Sequence, residues 1–302
     1  MRRITCDEVP YGGWPHSLHL SDGRTELIVT TEVGPRIIRY GFVKGQNLFK
    51  EFERHMGRRG GSSWRIYGGH RLWIAPEDPT LTYAPDNEPV TWSWRNATLT
   101  VSKTPDPLTG LARTMCLSFV EEGRVRILHR ITNHGSRAAT LAPWALTVMA
   151  PGGEAVFPME PFTPHPKALL PARPLVLWSY TNMADPRWTW GEREIRLRQD
   201  PEASAPQKAG FLNRQGWIAY LLNREVFIKR HPYSPEATYT DMGCNTEVFT
   251  NRDMLELESL GPQITLKPGA RTEHTEIWAL FRAPKPPTLR HLQRWARSLP
   301  NP

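Results

Sequence analysis

Alternating hydrophobic and polar positions run through most of the chain, a pattern typical of β-strands that bury one face. The alternation predicts strands at residues 25–32, 35–42, 90–101, 115–120, 124–132, 217–222, 225–229, 246–250, 254–260 and 273–280. Short turn sequences such as Val33-Gly34 and Asn223-Arg224 separate neighbouring strands, so antiparallel hairpins are expected.

Helical spacing of apolar residues occurs clearly only near the end, where Leu289, Leu292, Trp295 and Leu299 recur every three or four positions. This spacing predicts a short C-terminal helix at about residues 287–299. No internal repeat, linker or alternation of strands with helices interrupts the pattern. The fold class is therefore predicted as all-β, a single large antiparallel β-sandwich domain spanning residues 1–302.

Composition supports a chain rich in strands and loops. The 302 residues include 29 Pro, about twice the usual ~5%, and Pro breaks helices. The three cysteines, Cys6, Cys116 and Cys244, are too few and too far apart for a disulfide framework or a metal knuckle. Because no signal peptide or membrane span is recognisable either, we expect a cytoplasmic protein without a membrane partner.

The net charge is +8, from 38 Lys+Arg against 30 Asp+Glu. A nucleic-acid binder concentrates such charge on one face or arm, whereas here it is spread along the chain. No nucleic-acid partner is therefore expected, and the excess favours small acidic partners instead.

A first candidate site is the stretch Tyr67-Gly68-Gly69-His70-Arg71-Leu72-Trp73. The glycines allow close approach of the backbone, His70 titrates near neutrality, and Arg71 carries a fixed charge. Strand alternation places Trp73 on the same side as Arg71. These residue types suit a sugar site, although a structural role for His70 remains the alternative.

A second candidate site lies in residues 239–262, where Glu256 and Glu258 share one face of a predicted strand and Glu247 precedes them. In a cleft, crowding and burial would raise one carboxyl pKa and suit it to acid–base work. On an open surface the same pair would simply face solvent. Arg187, near Trp188 and Trp190, is a further candidate for contacting an acidic group of a ligand, with core packing of the tryptophans as the alternative.

The segment from Glu258 to Trp278, with Leu266-Lys-Pro-Gly269 and His274-Thr275, resembles the closing segment of the galactose mutarotase-like (aldose 1-epimerase) superfamily. Residues 26–40, Asn47-Leu48-Phe49, Gly69-His70-Arg71 and 131–153 resemble other parts of that family. The resemblance implies a β-supersandwich whose concave groove receives a sugar. It also implies a reaction without cofactor or metal, in which a Glu removes the anomeric proton and a His protonates the ring oxygen.

Carried over by position, Glu258 is the expected base, while His70 and Arg71 contact the substrate. A second family histidine is missing, because residues 142–147, around Trp144, contain none. In this interpretation, His70 replaces the missing histidine as the acid. The expected site then has Glu258 and His70 as catalytic residues and, as substrate-binding residues, Arg71, Trp73, Trp144, Glu247, Glu256 and Arg187.

The leading prediction is a cofactor-free aldose 1-epimerase acting on an acidic or phosphorylated small-molecule sugar. The missing histidine favours a rival, a non-catalytic carbohydrate-binding or sensing protein that uses the same groove. The sequence leaves the oligomeric state open.

Overall fold

The computed structural model describes residues 4–121 and 123–302. The first eleven strands are β1 (Thr5–Tyr11), β2 (Trp14–Ser21), β3 (Thr25–Thr30), β4 (Arg36–Phe42), β5 (His70–Ala75), β6 (Thr91–Arg95), β7 (Thr98–Ser102), β8 (Leu111–Glu121), β9 (Arg124–Asn133), β10 (Ala139–Met149) and β11 (Glu154–Pro158). The remaining elements are a 3₁₀ turn (His165–Lys167), β12 (Leu175–Leu177), β13 (Trp188–Trp190), β14 (Glu194–Arg198), β15 (Gln207–Phe211), β16 (Trp217–Leu222), β17 (Glu225–Arg230), β18 (Thr246–Thr250), β19 (Leu255–Leu260), β20 (Ile264–Leu266), β21 (Arg271–Arg282) and helix α1 (Leu289–Arg297).

Within the described residues these strands form two large antiparallel sheets, which confirms the predicted all-β sandwich. The first, an 11-stranded sheet, has the order β1-β2-β3-β4-β5-β10-β19-β18-β15-β12, with β20 paired to β10. The second has ten strands in the order β13-β14-β11-β16-β17-β21-β9-β8-β7-β6. Consecutive strands pair in β1-β2-β3-β4 and in β9-β8-β7-β6, as hairpins do, whereas pairs such as β5-β10, β10-β19 and β21-β9 join strands far apart in the sequence.

The predicted C-terminal helix is confirmed as α1. Its buried Leu292 and Ala296 pack on the outer face of the second sheet, and Trp295 stacks on Phe281 with ring centroids 4.8 Å apart. Thr288 closes the N-terminus in a capping box with His291. No helix in the described part of the chain is long and apolar enough to span a bilayer.

One predicted strand, at residues 90–101, is instead the hairpin of β6 and β7. Asn96 and Ala97 take positive φ angles of 49° and 54°, which turns the chain between the two short strands. Asn tolerates this conformation better than most residues. The turn also changes the phase of the alternation, since the apolar positions are 90, 92 and 94 before it and 99 and 101 after it.

The apolar core lies between the two sheets. Tyr40 and Phe49 from the first sheet's side meet Phe227 and Trp278 from the second, with ring centroids 5.6–6.0 Å apart. All four side chains are almost fully buried. Inward-facing positions are therefore occupied by the sandwich core, and any site on the first sheet must use its other face.

The middle of the first sheet, β5-β10-β19-β18-β15, presents that other face. Pairing sets Trp73 opposite Trp144, Leu146 opposite Glu258, and Glu258 opposite Glu247. Residues that pair across antiparallel strands point to the same side of the sheet. The register thus gathers aromatic and charged side chains from four strands onto one surface.

Gly69, at the start of β5, fixes the approach of this strand to β4. It adopts φ +67°, and a Cβ there would lie 2.3 Å from the carbonyl oxygen of Ile37. Gly152 has a similarly positive φ of +86°, with nothing within 4 Å of its would-be Cβ.

We expect Gly69→Ala to lower the free energy of unfolding by well over ~1 kcal/mol, since it adds a backbone collision to the conformational strain of a positive φ. Urea denaturation would measure the loss. Gly152→Ala is the matched control, because it adds the strain without the collision. Equal losses in the two variants would show that the close approach of β5 to β4 does not matter.

Candidate functional site

A cleft of about 320 Å³ lies on the outer face of the central strands of the first sheet. Its floor comes from β5, β10, β19, β18 and β15, and its walls come from loops. The lining residues are Trp64, Ile66, Arg71, Trp73, Glu77, Tyr83, Trp144, Leu146, Tyr180, Lys208, Phe249, Met254, Glu256 and Glu258. Of the residues expected at the site, Arg71, Trp73, Trp144, Glu256 and Glu258 therefore lie together.

Glu258 is the most enclosed carboxyl of the cleft. Its Oε2 accepts a hydrogen bond from the indole Nε1 of Trp144 at 2.8 Å and one from the Nζ of Lys208 at 3.4 Å. Its Oε1 is buried and has no hydrogen-bond partner among the described residues. An acceptor oxygen in this state is available to a ligand hydroxyl, because an unpaired buried polar atom is costly to leave unsatisfied.

Glu247 lies beside Glu258 on the same face of the sheet. It is fully buried and does not line the cleft, so its expected direct contact with a ligand is corrected. The ammonium of Lys208 lies 2.8 Å from a carboxylate oxygen of Glu247 and bridges the two carboxyls. Burial raises the pKa of Glu247 well above its ordinary value, with Lys208 only partly opposing the shift. Burial likewise raises the pKa of Glu258. The pair therefore has one ammonium for two desolvated carboxyls.

Arg71 supplies a second charged group. Its Nη2 donates to Oε1 of Glu256 at 3.0 Å, and its guanidinium lies 4.2 Å from the ring centroid of Trp73. The predicted shared face of Arg71 and Trp73 is thus observed. The Nε and Nη1 groups of Arg71 have no hydrogen-bond partner among the described residues, which leaves donors for a ligand.

Aromatic side chains form one wall of the cleft. Trp73 lies at the centre of this cluster, with ring centroids 5.5 Å from Trp64, 5.1 Å from Tyr83 and 5.4 Å from Trp144. Tyr180 lines the cleft as well and is partly exposed. Flat apolar surfaces next to a few fixed polar groups are the usual make-up of a small-molecule site, and they suit the C–H face of a sugar.

The structure places His70 elsewhere. It precedes Arg71, so alternation directs its side chain to the opposite face of β5, into the space between the sheets. It is fully buried there and does not line the cleft. The expectation that His70 contacts the substrate beside Glu258 therefore needs correction. The cause is strand alternation, which separates His70 from Arg71.

His70 belongs to a chain of buried hydrogen bonds in which every imidazole ring can be neutral. Lys229 Nζ donates to Thr147 Oγ1 at 3.1 Å, and Thr147 Oγ1 lies 2.9 Å from His70 Nδ1. His70 Nε2 lies 2.7 Å from His129 Nε2, whose Nδ1 donates to the carbonyl of His274 at 2.9 Å. One tautomer of each ring satisfies every contact without any imidazole carrying charge.

The anionic member of this interior network is Glu276. It accepts from Lys229 Nζ at 2.8 Å, from the Ser259 hydroxyl at 2.5 Å and from the indole of Trp278 at 2.8 Å. Although burial acts in the opposite direction, the charge of Lys229 lowers the pKa of Glu276. A buried ion pair bounded by neutral groups results.

His70, His129 and Glu276 also bring three potential metal-ligand atoms within 4.8 Å of one another. The chemistry of the donor set argues against a metal ligand role. The facing nitrogens of the two rings share a hydrogen bond at 2.7 Å, and Glu276 is already neutralised by Lys229. A cation placed here would have to displace both interactions next to an ammonium.

The buried histidines give the protein an expected pH dependence. Burial lowers the pKa of His70 and of His274 well below 6.5. Below about pH 6.5 the unfolded chain then binds more protons than the folded one, so stability falls as the pH falls, by up to ~1.4 kcal/mol per pH unit for each such histidine. The raised pKa values of Glu247 and Glu258 act with the opposite sign.

The contribution of one histidine can be isolated by comparing wild type with His274→Asn. We expect the loss of unfolding free energy between pH 7 and pH 5.5 to be smaller in this variant, since one group that must be kept neutral has been removed. Urea titrations at each pH would measure the difference. Parallel pH profiles for the two proteins would contradict the prediction.

Arg187 does not line the cleft either. It is almost fully buried and pairs with its neighbour Asp185 at 2.9 Å and with the carbonyl of Ala205. The nearby Trp188 donates to Gln207 at 3.0 Å. Arg187 therefore ties a loop to β15, and its expected contact with a ligand is also corrected.

Sequence reasoning missed several residues of the cleft, above all Lys208. A lysine outside the predicted strands is expected at the surface, yet Lys208 is only 5% exposed. It lies between the rings of Trp144 and Trp178, at 4.7 and 4.5 Å from their centroids. One feature of the sequence could have identified it. Lys208 and Gly210 are two positions apart on one strand and therefore share a face, and Gly210 pairs with Glu247, so Lys208 and Glu247 lie on the same face of the sheet. Tyr180, Tyr83 and Trp64 lie on loops, where no periodicity identifies them.

A larger groove, about 780 Å³, lies between α1 and residues 159–162. Arg193, Arg290 and Arg297 line it, and all three are exposed. Among residues 4–121 and 123–302, no buried carboxyl groups like those of the cleft line this groove. The convergence of enclosed polar groups makes the smaller cleft the better candidate for chemistry.

Comparison with known protein families by sequence finds no matching family, and comparison with curated proteins finds no match. Solved structures do match. Slr1438 protein from Synechocystis sp. PCC 6803 aligns with a TM-score of 0.59 at 11% identity, over 93% of this chain and 100% of that one. A galactose mutarotase-like protein from Lactobacillus casei ATCC 334 gives 0.56 at 9% identity, over 88% and 100%. A galactose mutarotase related enzyme from Lactobacillus acidophilus gives 0.55 at 6% identity, over 90% and 100%.

These similarities show that the chain has the galactose mutarotase-like fold, as the sequence resemblance implied. Identities of 6–11% in these three structures show the fold and leave the chemistry to the side chains. The activity must therefore be argued from the cleft itself.

Proposed function

We propose that the cleft binds a monosaccharide ring and that Glu258 is the base for exchange between its two anomers, the aldose 1-epimerase reaction. The observation that carries this proposal is the buried Oε1 of Glu258, which lacks a partner in the described structure. Glu258 lines the cleft together with Trp144 and Arg71. The fold supports it, since the similar structures include proteins described as galactose mutarotase-like or related.

The proposed reaction begins when Glu258 Oε1 takes the proton of the anomeric hydroxyl. The C1–O1 bond gains double-bond character while the bond from C1 to the ring oxygen breaks. Rotation about the bond from C1 to C2 and reclosure on the other face give the second anomer. Trp144 holds Oε2 of the base in place, and the free donors of Arg71 would fix sugar hydroxyls. The ring oxygen keeps the electron pair of the broken bond and takes a proton, which it returns on reclosure. Because no atom is oxidised or reduced, the proposal requires neither cofactor nor metal.

The charge of the site favours a neutral sugar. The +8 net charge suggested an acidic or phosphorylated one, but both cations of the cleft are already paired, Arg71 with Glu256 and Lys208 with Glu247 and Glu258. With Glu77, which also lines the cleft, four carboxyl groups against two cations leave no positive excess for an anionic substrate. We therefore propose a neutral aldose, with uronates and sugar phosphates as weaker substrates.

Exchange spectroscopy by NMR on a panel of hexoses, uronates and sugar phosphates tests this function. We expect accelerated anomer exchange for at least one neutral aldose. The absence of acceleration across the whole panel would overturn the epimerase proposal.

The second candidate is a non-catalytic sugar-binding or sensing role. It is favoured by the make-up of the cleft, since none of its lining residues in the described chain is a histidine. A sugar that raises the melting temperature through binding alone, without accelerated anomer exchange, would support this role instead.

We also propose a domain organisation, a location and partners for this protein. We propose that residues 1–302 act as one domain, supported by the core that both sheets share. We also propose that the protein works in the cytoplasm on a small-molecule sugar, with no nucleic-acid or membrane partner.

A further inference from the structure

Lys208 is held more rigidly than a lysine that merely neutralises charge. Its ammonium lies over the faces of Trp144 and Trp178 at 4.7 and 4.5 Å and contacts both Glu247 and Glu258. Lys208 lines the cleft, whereas Glu247 does not. Lys208 is thus the group that connects the buried Glu247 with the ligand space.

The charges around Lys208 favour one additional proton on the pair of carboxyl groups, Glu247 and Glu258. The charged groups that act on Glu247 are Lys208, Glu258 and Asp241, so two further acids and one base surround it. Two enclosed carboxyls cannot both ionise cheaply beside one ammonium. Oε2 of Glu258 is stabilised as a carboxylate by the Trp144 indole in addition to Lys208, whereas Glu247 has only its contact with Lys208 among the described residues. The extra proton therefore belongs on Glu247.

The direction of the pKa shift of Glu247 agrees with placing the extra proton on this residue. Burial raises the pKa of Glu247 well above its ordinary value. Although burial opposes it, attraction to carboxylate charge, that of Glu258 first, raises the pKa of Lys208. Lys208 is consequently an ammonium at neutral pH and a weak acid by itself, so it can give up a proton only while Glu247 replaces it.

We propose that Glu247 stores a proton in the resting site and that Lys208 relays it to the sugar ring oxygen, so that this pair takes the acid role for which the cleft has no histidine. This inference rests on the proposed epimerase function. Lys208 would be the catalytic residue, and Glu247 a positioning and proton-storing residue that acts through it.

The proton balance closes within the site. On ring opening, the anomeric proton moves to Glu258, and the electron pair of the broken bond from C1 stays on the ring oxygen. That oxygen takes a proton from Lys208, which regains one from Glu247. The site passes from a Glu258 carboxylate with protonated Glu247 to protonated Glu258 with a Glu247 carboxylate. Reclosure reverses each transfer, so no outside acid or base is consumed.

Glu247→Gln tests the relay, because the amide keeps the shape of the side chain but has no carboxyl proton to give. We expect anomer exchange to fall about 10²-fold or more, with an unchanged dissociation constant for the sugar. In the ligand-free wild type at neutral pH, infrared spectroscopy should show the C=O stretch of an un-ionised carboxylic acid, and the variant should lack it. Glu192→Gln, at an exposed position, is the matched control and should change neither.

Lys208→Arg distinguishes a relay from plain electrostatic support. The guanidinium keeps the positive charge but does not give up a proton in a protein, so exchange should be lost while the carboxylic acid band remains. Full activity in either variant, or an acid band that survives Glu247→Gln, would overturn the relay. If wild type itself exchanges no sugar, the proposed function fails instead, and the infrared band alone then decides where the proton lies.

Discussion

Glu258→Gln is expected to lower the rate of anomer exchange by about 10²- to 10⁴-fold, the usual contribution of a positioned general base. Gln is close in size and can still accept the hydrogen bond that the Trp144 indole gives at 2.8 Å. What the variant loses is the ability of the side chain to take a proton. NMR exchange rates with the best substrate of the panel would measure the effect.

Two further measurements keep this result interpretable. The melting temperature should not fall, since removing a buried charge from a crowded site relieves desolvation. Glu192→Gln, the same chemical change at an exposed position, should leave the rate as it is. A Glu258→Gln protein that is folded and exchanges anomers at the wild-type rate would remove Glu258 from the mechanism.

Lys229→Met should cost the fold about 3–5 kcal/mol, the range found when one partner of a buried ion pair is removed. Lys229 is completely buried and contacts Glu276, Thr147 and two backbone carbonyls within 3.2 Å. Met fills much of the same volume, so the loss comes from the carboxylate of Glu276 that stays behind. Denaturant unfolding at neutral pH would measure it.

The matched control is Lys285→Met at an exposed position, for which the change should stay within ~0.5 kcal/mol. The double replacement of Lys229 and Glu276 by Met should recover part of the stability, because no unpaired charge then remains. A Lys229→Met protein as stable as wild type would show that this interior pair does not contribute to the fold.

Much of the architecture could be read from the sequence because strand alternation reports burial directly. In β9 the apolar Val125, Ile127 and Ile131 alternate with exposed or half-buried residues in the structure, as the pattern required. Strands buried on both faces, such as β5 and β10, give no such alternation. They were identified only where a resemblance or a glycine pair drew attention to them.

The candidate site was predicted in part for the same reason. Arg71 with Trp73, and Glu256 with Glu258, are i and i+2 pairs on single strands, so one strand suffices to place them on a common face. Whether that face was the cleft or the interior depended on the register of neighbouring strands. His70 was misplaced because its side of β5 is set by the sandwich, and Lys208 was undervalued because its partners come from strands far away in sequence.

The central strands carry the cleft floor on one face and the charged interior network on the other, at adjacent positions such as Arg71 with His70 and Glu258 with Ser259. A substitution on the floor that changes the size or shape of a side chain should therefore disturb residues that the interior holds in hydrogen bonds, unlike the isosteric Glu258→Gln. Trp64, Tyr83 and Tyr180 lie outside the strands and have no such constraint. Related chains should accordingly change their sugar preference through these loop aromatics, while laboratory evolution starting from the floor should yield mostly unstable variants.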